Sequence, residues 1–250
     1  MEKIKDFECF INENVLLEGR YDSIVGSILS DTMKLIKASD TPDGTYNGIK
    51  IRYKDTEDVP SFFELIERGI FLEVGEYSSE KSGMEIRVNL VIVRDEYPAY
   101  DGGYIVSGDA DDESGTIYLE ISLNPERESQ YYSEIAAELS DVIRHEIEHL
   151  TQRGWNVKEG KFIRSNQGMR KRIALDPSIR YKYYRLRDEI DANLQGLYAK
   201  SKSLKKPFRD SIMDFLDKQT RRGIIPEDKK MEIYNLWKRR ASSIGGLPAL

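Results

Sequence analysis

Apolar residues recur along this chain with two different periods, and the alternation between those periods divides it into regions. In the first forty residues Phe7, Phe10, Ile11, Val15 and Leu16, then Ile24, Val25, Ile28, Leu29, Met33, Leu35 and Ile36, stand three and four apart around a break at Gly19. That spacing predicts helices with one packed face. Asp40-Thr41-Pro42-Asp43-Gly44 predicts a turn, and Gly48 to Tyr53 alternates as a strand does. Pro60 to Gly69 predicts a short helix with Phe62, Phe63, Leu65 and Ile66 on its apolar side. Alternation returns from Glu85 to Arg94, with Ile86, Val88, Leu90 and Ile92 on one face. It returns again from Thr116 to Leu123, with Ile117, Leu119, Ile121 and Leu123 turned inward. The segment between, Asp95 to Gly115, predicts a loop, because it holds Pro98, Gly102-Gly103 and the acidic run 108–113. The carboxylates of that run do not complete a twelve-residue calcium loop, so a solvated hairpin is favoured over calcium.

Helical spacing then dominates to the end. Tyr131 to Arg153 contains no Pro or Gly, and Ile135, Leu139, Val142, Ile143 and Leu150 draw one stripe. Tyr181 to Ser201 predicts a second helix, interrupted only by Gly196, with Tyr183, Leu186, Ile190, Leu194 and Leu197 inward. On its wheel Glu189 and Asn193 border the apolar side, while Asp188, Asp191 and Gln195 point away. Phe208 to Gln219 and Pro226 to Ala241 predict two amphipathic helices, with Pro226 well placed at a helix start. The order predicts an α+β fold: a helical N-terminal region over 1–40, a central domain over 41–201, and a C-terminal helical extension over 202–250 that begins at the basic run Lys202 to Lys206 and Pro207.

Composition narrows the setting. The 250 residues suffice for a full core. A single cysteine, Cys9, excludes an intrachain disulfide and a cysteine-rich metal site. No run of eighteen apolar residues occurs and the N-terminus lacks the apolar centre of a signal peptide, so a cytoplasmic protein without a membrane partner is expected. The net charge of −6 conceals an asymmetry, −19 over residues 1–150 and +13 over 151–250. Either the two halves attract each other, or the basic half meets an acidic partner. No RNP-like run, zinc finger or helix-turn-helix accompanies the basic half, which disfavours nucleic acid.

Both histidines of the chain fall in one stretch, His145-Glu146-Ile147-Glu148-His149. On a helix, residues four apart stand one turn above each other, so the two imidazoles can face one ion with the Glu146 carboxylate beside them. That set suits a zinc site in which a carboxylate takes a proton from water. Glu146 falls within the apolar stripe, where a carboxylate is costly unless paired or near a metal. Two imidazoles do not complete such a site, and the third ligand must be a carboxylate, Cys9 or a tyrosine. Glu189 is the best-placed carboxylate. Asp141 and Glu138, one and two turns before His145, are candidates to orient an imidazole, and Asn193 is a third such candidate. Tyr181, Tyr183 and Tyr184, or a nearby arginine, are candidates to donate to an oxyanion. The strand Thr116 to Leu123 could hold an extended peptide by main-chain pairing.

The His-Glu-Ile-Glu-His run, followed some forty residues later by Glu189-Ile190-Asp191-Ala192-Asn193, resembles the glutamate-ligand zincins among the metallopeptidases. The second piece is most similar to the Glu-x-x-Ala-Asn helix of the ImmA/IrrE-type peptidases. The resemblance implies a zincin-like fold, with a small mixed sheet on the two ligand helices. It implies Zn2+ held by His145, His149 and Glu189, Glu146 as general base, and a protein or peptide substrate. It covers about a third of the chain, and the long segment between His149 and Glu189 departs from the compact family pattern. Leu16-Leu17-Glu18-Gly19-Arg20-Tyr21-Asp22 has the flavour of tailed-phage proteins, which would place the chain in a host cytoplasm or a virion. The competing expectation is a non-catalytic structural or assembly protein on a zincin-like scaffold.

Overall fold

The computed structural model describes residues 21–36, 45–46, 49–50, 69–79, 84–94, 104–111, 113–124, 131–153, 166–248 and 250. The turn expected at Asp40–Gly44, the helix at Pro60–Gly69 up to its last residue, the helical stretch before residue 21, Cys9 and the phage-like stretch up to Arg20 lie outside the described residues.

Residues 21–36 form helix α1. Two short strands pair antiparallel, β1 (Thr45–Tyr46) and β2 (Ile49–Lys50). The main sheet contains β3 (Gly69–Ser79), β4 (Met84–Arg94), β5 (Tyr104–Asp111) and β6 (Thr116–Leu123), in the order β3-β4-β6-β5. The β4–β6 pair is parallel and the other two pairs are antiparallel. Ile86, Val88, Leu90 and Ile92 of β4 and Ile117, Leu119, Ile121 and Leu123 of β6 are buried, as their alternation requires. They pack against α1 and against Ile135, Leu139, Ile143, Ile147 and Leu150 of α2 (Tyr132–Gln152).

Two differences from the sequence reading concern the sheet. The stretch read as a loop contains β5, whose residues Tyr104 to Asp111 pair throughout with β6. Its Gly, Ser and Asp content masks the strand, and partnership with β6 supplies the order that its own residues do not. The second concerns the strand expected to hold a peptide, whose place in the sheet the sequence leaves open: Thr116–Leu123 is internal, and among the described residues β3 and β5 are the edges. The β5–β6 turn is closed by Asp111, which accepts from the Glu113 amide at 2.9 Å and the Ser114 hydroxyl at 2.6 Å. Those bonds hold its carboxyl below the usual range, and no ion is needed to explain them.

Beyond α2 come α3 (Gln167–Leu175), a 3-10 segment (Pro177–Arg185), α4 (Arg187–Ser203), α5 (Phe208–Arg221) and α6 (Glu227–Ala241). The helix expected from Tyr181 is broken at Leu186, which is extended, so α4 starts at Arg187. A second core joins Ile190, Leu194 and Leu197 of α4 to Ile212 and Leu216 of α5 and Ile233 and Trp237 of α6. Trp237 Nε1 donates to the Tyr184 carbonyl at 2.8 Å, which ties this core to the 3-10 segment.

Helix α4 is therefore covered on several sides. Asp188 and Asp191, expected to point away, are buried. Asp191 accepts both arms of the Arg240 guanidinium at 2.6 Å. The wheel assumed one packed face, whereas α4 lies between α2 and the C-terminal helices. Gly196 sets the approach of α4 to α2: a Cβ there would lie 2.3 Å from Asp141 Oδ1 and 2.7 Å from the Asp141 carbonyl oxygen. Gly26 of α1, by contrast, is exposed, and a Cβ there would meet nothing within 4 Å among the described residues.

These two helical glycines predict opposite outcomes. Gly196→Ala should destabilise the fold by about 1–3 kcal/mol through overpacking against a backbone oxygen. Gly26→Ala should stabilise it by about 0.5–1 kcal/mol through helix propensity. Urea denaturation of both variants checks the pair, and equal shifts of one sign would contradict the packing described.

Candidate metal centre

Helix α2 delivers its two histidines on one side because they are four residues apart, and the packing turns that side toward α4. His145 Nε2 and His149 Nε2 stand 3.1 Å apart, with the rings edge to face. From the first turn of α4, Glu189 brings Oε1 to 3.5 Å from His149 Nε2 and Oε2 to 3.7 Å from His145 Nε2. Glu189 is 0 % exposed. Among the described residues, this is the one group of three or more His, Cys, Asp or Glu side chains placed to hold a metal ion.

The spacing fits a cation. Ligand atoms about 2.1 Å from a tetrahedral centre lie about 3.4 Å from one another, and the separations seen, 3.1 Å between the imidazoles, 3.5 Å from Oε1 to His149 and 3.7 Å from Oε2 to His145, are of that size. Two further observations agree. Glu189 Oε2 is buried and accepts no hydrogen bond among the described residues. The His149 ring is also set for ligation: Gln152 Nε2 donates to the Asp188 carbonyl at 3.0 Å, so Gln152 Oε1 faces His149 Nδ1 at 3.1 Å. Nδ1 then donates, and the Nε2 lone pair is left toward the centre.

The electrostatics follow from burial and proximity. Burial pushes the His145 imidazole down to about 3, helped by neighbouring His149 and opposed by Glu189, so this ring is neutral. For His149 burial acts downward too, but hydrogen bonding and charge from Glu189 outweigh it and the shift is upward. Glu189 is raised by burial yet drawn down to about 2 by His149, His145 and Arg170, so it is ionised. Burial lifts the Glu146 carboxyl to about 7, against the pull of His149 and with Asp109 and Glu189 adding to the rise. Glu146 lies beneath β5: a Cβ on Gly108 would come within 3.2 Å of its Cγ and 2.4 Å of Val142 Cγ1. The missing side chain at Gly108 lets the edge strand cross directly over the histidine helix.

The remaining sequence candidates are distributed unevenly. Tyr183 lines the small cavity that contains His145, Glu146 and His149, and burial together with Glu189 pushes its hydroxyl pKa up. Tyr184 is buried against Phe215 and Trp237, with its pKa pushed up to about 12 by burial. Tyr181 packs at the margin of the second core. Asn193 Nδ2 donates to the Glu189 carbonyl at 2.7 Å and so braces the helix turn that carries the ligand. Glu138 is paired with Lys200 at 2.6 Å and Lys218 at 3.8 Å rather than with an imidazole. Asp141 faces Gly196 and lines a second cavity of about 770 Å³, shared with His145, Glu146, Tyr183 and Asn193.

Three supports escaped the sequence reading: Gln152, Arg170 and Asp188. Arg170 Nη2 donates to Asp188 Oδ2 at 2.7 Å and to Glu189 Oε1, and its guanidinium lies 5.4 Å from the Tyr183 ring centroid. Gln152 was findable, being one turn after His149 on the same helix. Arg170 and Asp188 come from separate elements, and no spacing rule connects them to the pair.

Comparison with known proteins finds no matching family model, curated protein or solved structure. The mixed sheet packed on helices with a His-His-Glu group is compatible with a zincin-like scaffold.

Asp141 yields a pH prediction. Burial raises its carboxyl to about 7, with Lys200 acting downward and Glu138 upward. An acid whose folded pKa lies above its unfolded value favours the fold below about pH 4, and that contribution is lost as pH rises through about 7. Asp141→Asn should therefore gain stability relative to wild type between pH 5 and pH 8. Denaturation midpoints at the two values check this, and a constant difference would contradict the assigned burial.

Proposed function

We propose that the chain is a zinc-dependent metallopeptidase of the glutamate-ligand type. The observation that carries the reading is the convergence of His145 Nε2, His149 Nε2 and a buried Glu189 oxygen without a hydrogen-bond donor, beside a carboxylate of raised pKa. Two imidazoles and one carboxylate with a free fourth position are a donor set suited to catalytic zinc. When bound, zinc supplies Lewis acidity and lowers the pKa of a coordinated water toward about 7.

The chain's own groups complete the chemistry. Glu146, buried beside the two imidazoles and lining both cavities, is placed to accept a proton from water and to return it to a leaving amine. Tyr183 is the tyrosine best placed to donate to an oxyanion, since it lines both cavities that contain Glu146. The edge strand β5, rather than internal β6, has one side unpaired among the described residues, where an extended peptide could add by main-chain pairing, and Gly108 brings it over Glu146. These features support a protein or peptide substrate.

A second reading, a non-catalytic scaffold, draws on the Arg170–Glu189 pair, which gives this carboxylate a partner without any metal. Metal analysis separates the two readings. Purified wild type should hold one zinc per chain by mass spectrometry, while His149→Ala and Glu189→Ala should lose it. Glu146→Gln should keep the zinc yet cleave a fluorescence-quenched peptide library about 10²–10⁴-fold more slowly. A zinc-free wild type would sink the metal reading, and a zinc-loaded but inert one would favour the scaffold. Gln152→Leu, which removes the acceptor for His149 Nδ1, should weaken zinc binding about 10–100-fold in a chelator competition.

A further inference from the structure

Resting on the metal reading above, we propose that Arg170 is a positioning residue that makes Glu189 a one-oxygen ligand, by occupying Oε1 and leaving Oε2 as the atom presented to the cation. The two oxygens of Glu189 are not equivalent. Oε1 accepts from Arg170 Nη2 and stands 3.5 Å from His149 Nε2, whereas Oε2 is buried without a donor among the described residues and lies 3.7 Å from His145 Nε2. A carboxylate free to rotate would offer both oxygens to a cation and open the site to a five-ligand arrangement. Holding one oxygen on a fixed donor prevents that and keeps a position available for water or substrate.

Arg170 is itself held by Asp188 and Tyr183. The same Nη2 donates to Asp188 Oδ2 at 2.7 Å, the guanidinium rests near the Tyr183 ring, and Asp188 is further fixed by Asn166 Nδ2 at 3.3 Å. Its Nε is buried with no acceptor among the described residues. The guanidinium therefore sits where two carboxylates draw it, at the cost of one of its own donors. A lysine would bring the same charge, but as a compact point without the planar fork or the ring contact.

That difference separates positioning from simple charge. As a charge alone, Arg170 repels a cation: Arg170→Ala would then bind metal more tightly and Arg170→Lys would match wild type. As a positioning group it favours binding, and both variants should weaken Co2+ affinity about 10–100-fold in a chelator competition. The visible Co2+ spectrum should also lose intensity in both variants as the carboxylate chelates and coordination number rises. Melting of the metal-free forms, run in parallel, establishes that each variant is folded. X-ray absorption of zinc-loaded wild-type full chain needs no variant: one short carboxylate oxygen beside two imidazoles is expected. A chelating carboxylate in wild type, an Arg170→Lys variant identical to wild type, or a tighter Arg170→Ala would each overturn the proposal while leaving the metal reading intact. A wild-type chain that takes up neither Co2+ nor Zn2+ overturns both.

Discussion

Two adjacent carboxylates, Asp188 and Glu189, are buried in the first turn of α4, and the centre of the molecule is built around making that tolerable. An ionised carboxylate withdrawn from water costs several kcal/mol unless it is paired and hydrogen-bonded. Here the compensation comes from Arg170, which donates to both, from the positive end of the helix that carries them, and from the imidazoles that face Glu189. Asp188 serves twice. Its side chain anchors Arg170 and its carbonyl anchors Gln152, so one residue steadies both the carboxylate and an imidazole of the candidate centre.

The same helix could not reach this position without Gly196. The close approach of α2 and α4 brings His145 and His149 within reach of Glu189, and a side chain at Gly196 would collide with the Asp141 main chain. Gly108 plays the corresponding part on the other side, letting β5 cross over Glu146. The centre is thus set between two glycine-mediated contacts, one with a helix and one with a sheet edge. Stability of the fold and geometry of the site depend on the same packing.

Much of this architecture was legible in the residues. Strong alternation identified β4 and β6, and unbroken helical spacing identified α2, α5 and α6, because in these segments the local pattern and the tertiary burial agree. The stretch around β5 was misread, since its strand character comes from pairing with β6 rather than from its own composition. The burial of Asp188 and Asp191 was also misread. A helical wheel assigns one face to the core, and α4 is enclosed on more than one face.

The candidate centre divides in the same way. His145, Glu146 and His149 could be read from the chain alone, because a helix converts a four-residue spacing into proximity without help from any other element. Glu189 could be nominated but not placed; Gln152, one turn after His149, lay within reach of the same helical rule, whereas Arg170 and Asp188 could not be assigned as supports at all. Their meeting requires α2, α3 and α4 to converge, and convergence is a property of packing between segments distant in sequence. Local periodicity therefore determined the imidazole pair and its helix, and only the tertiary structure decided which carboxylate faces it and which side chains hold that carboxylate in place.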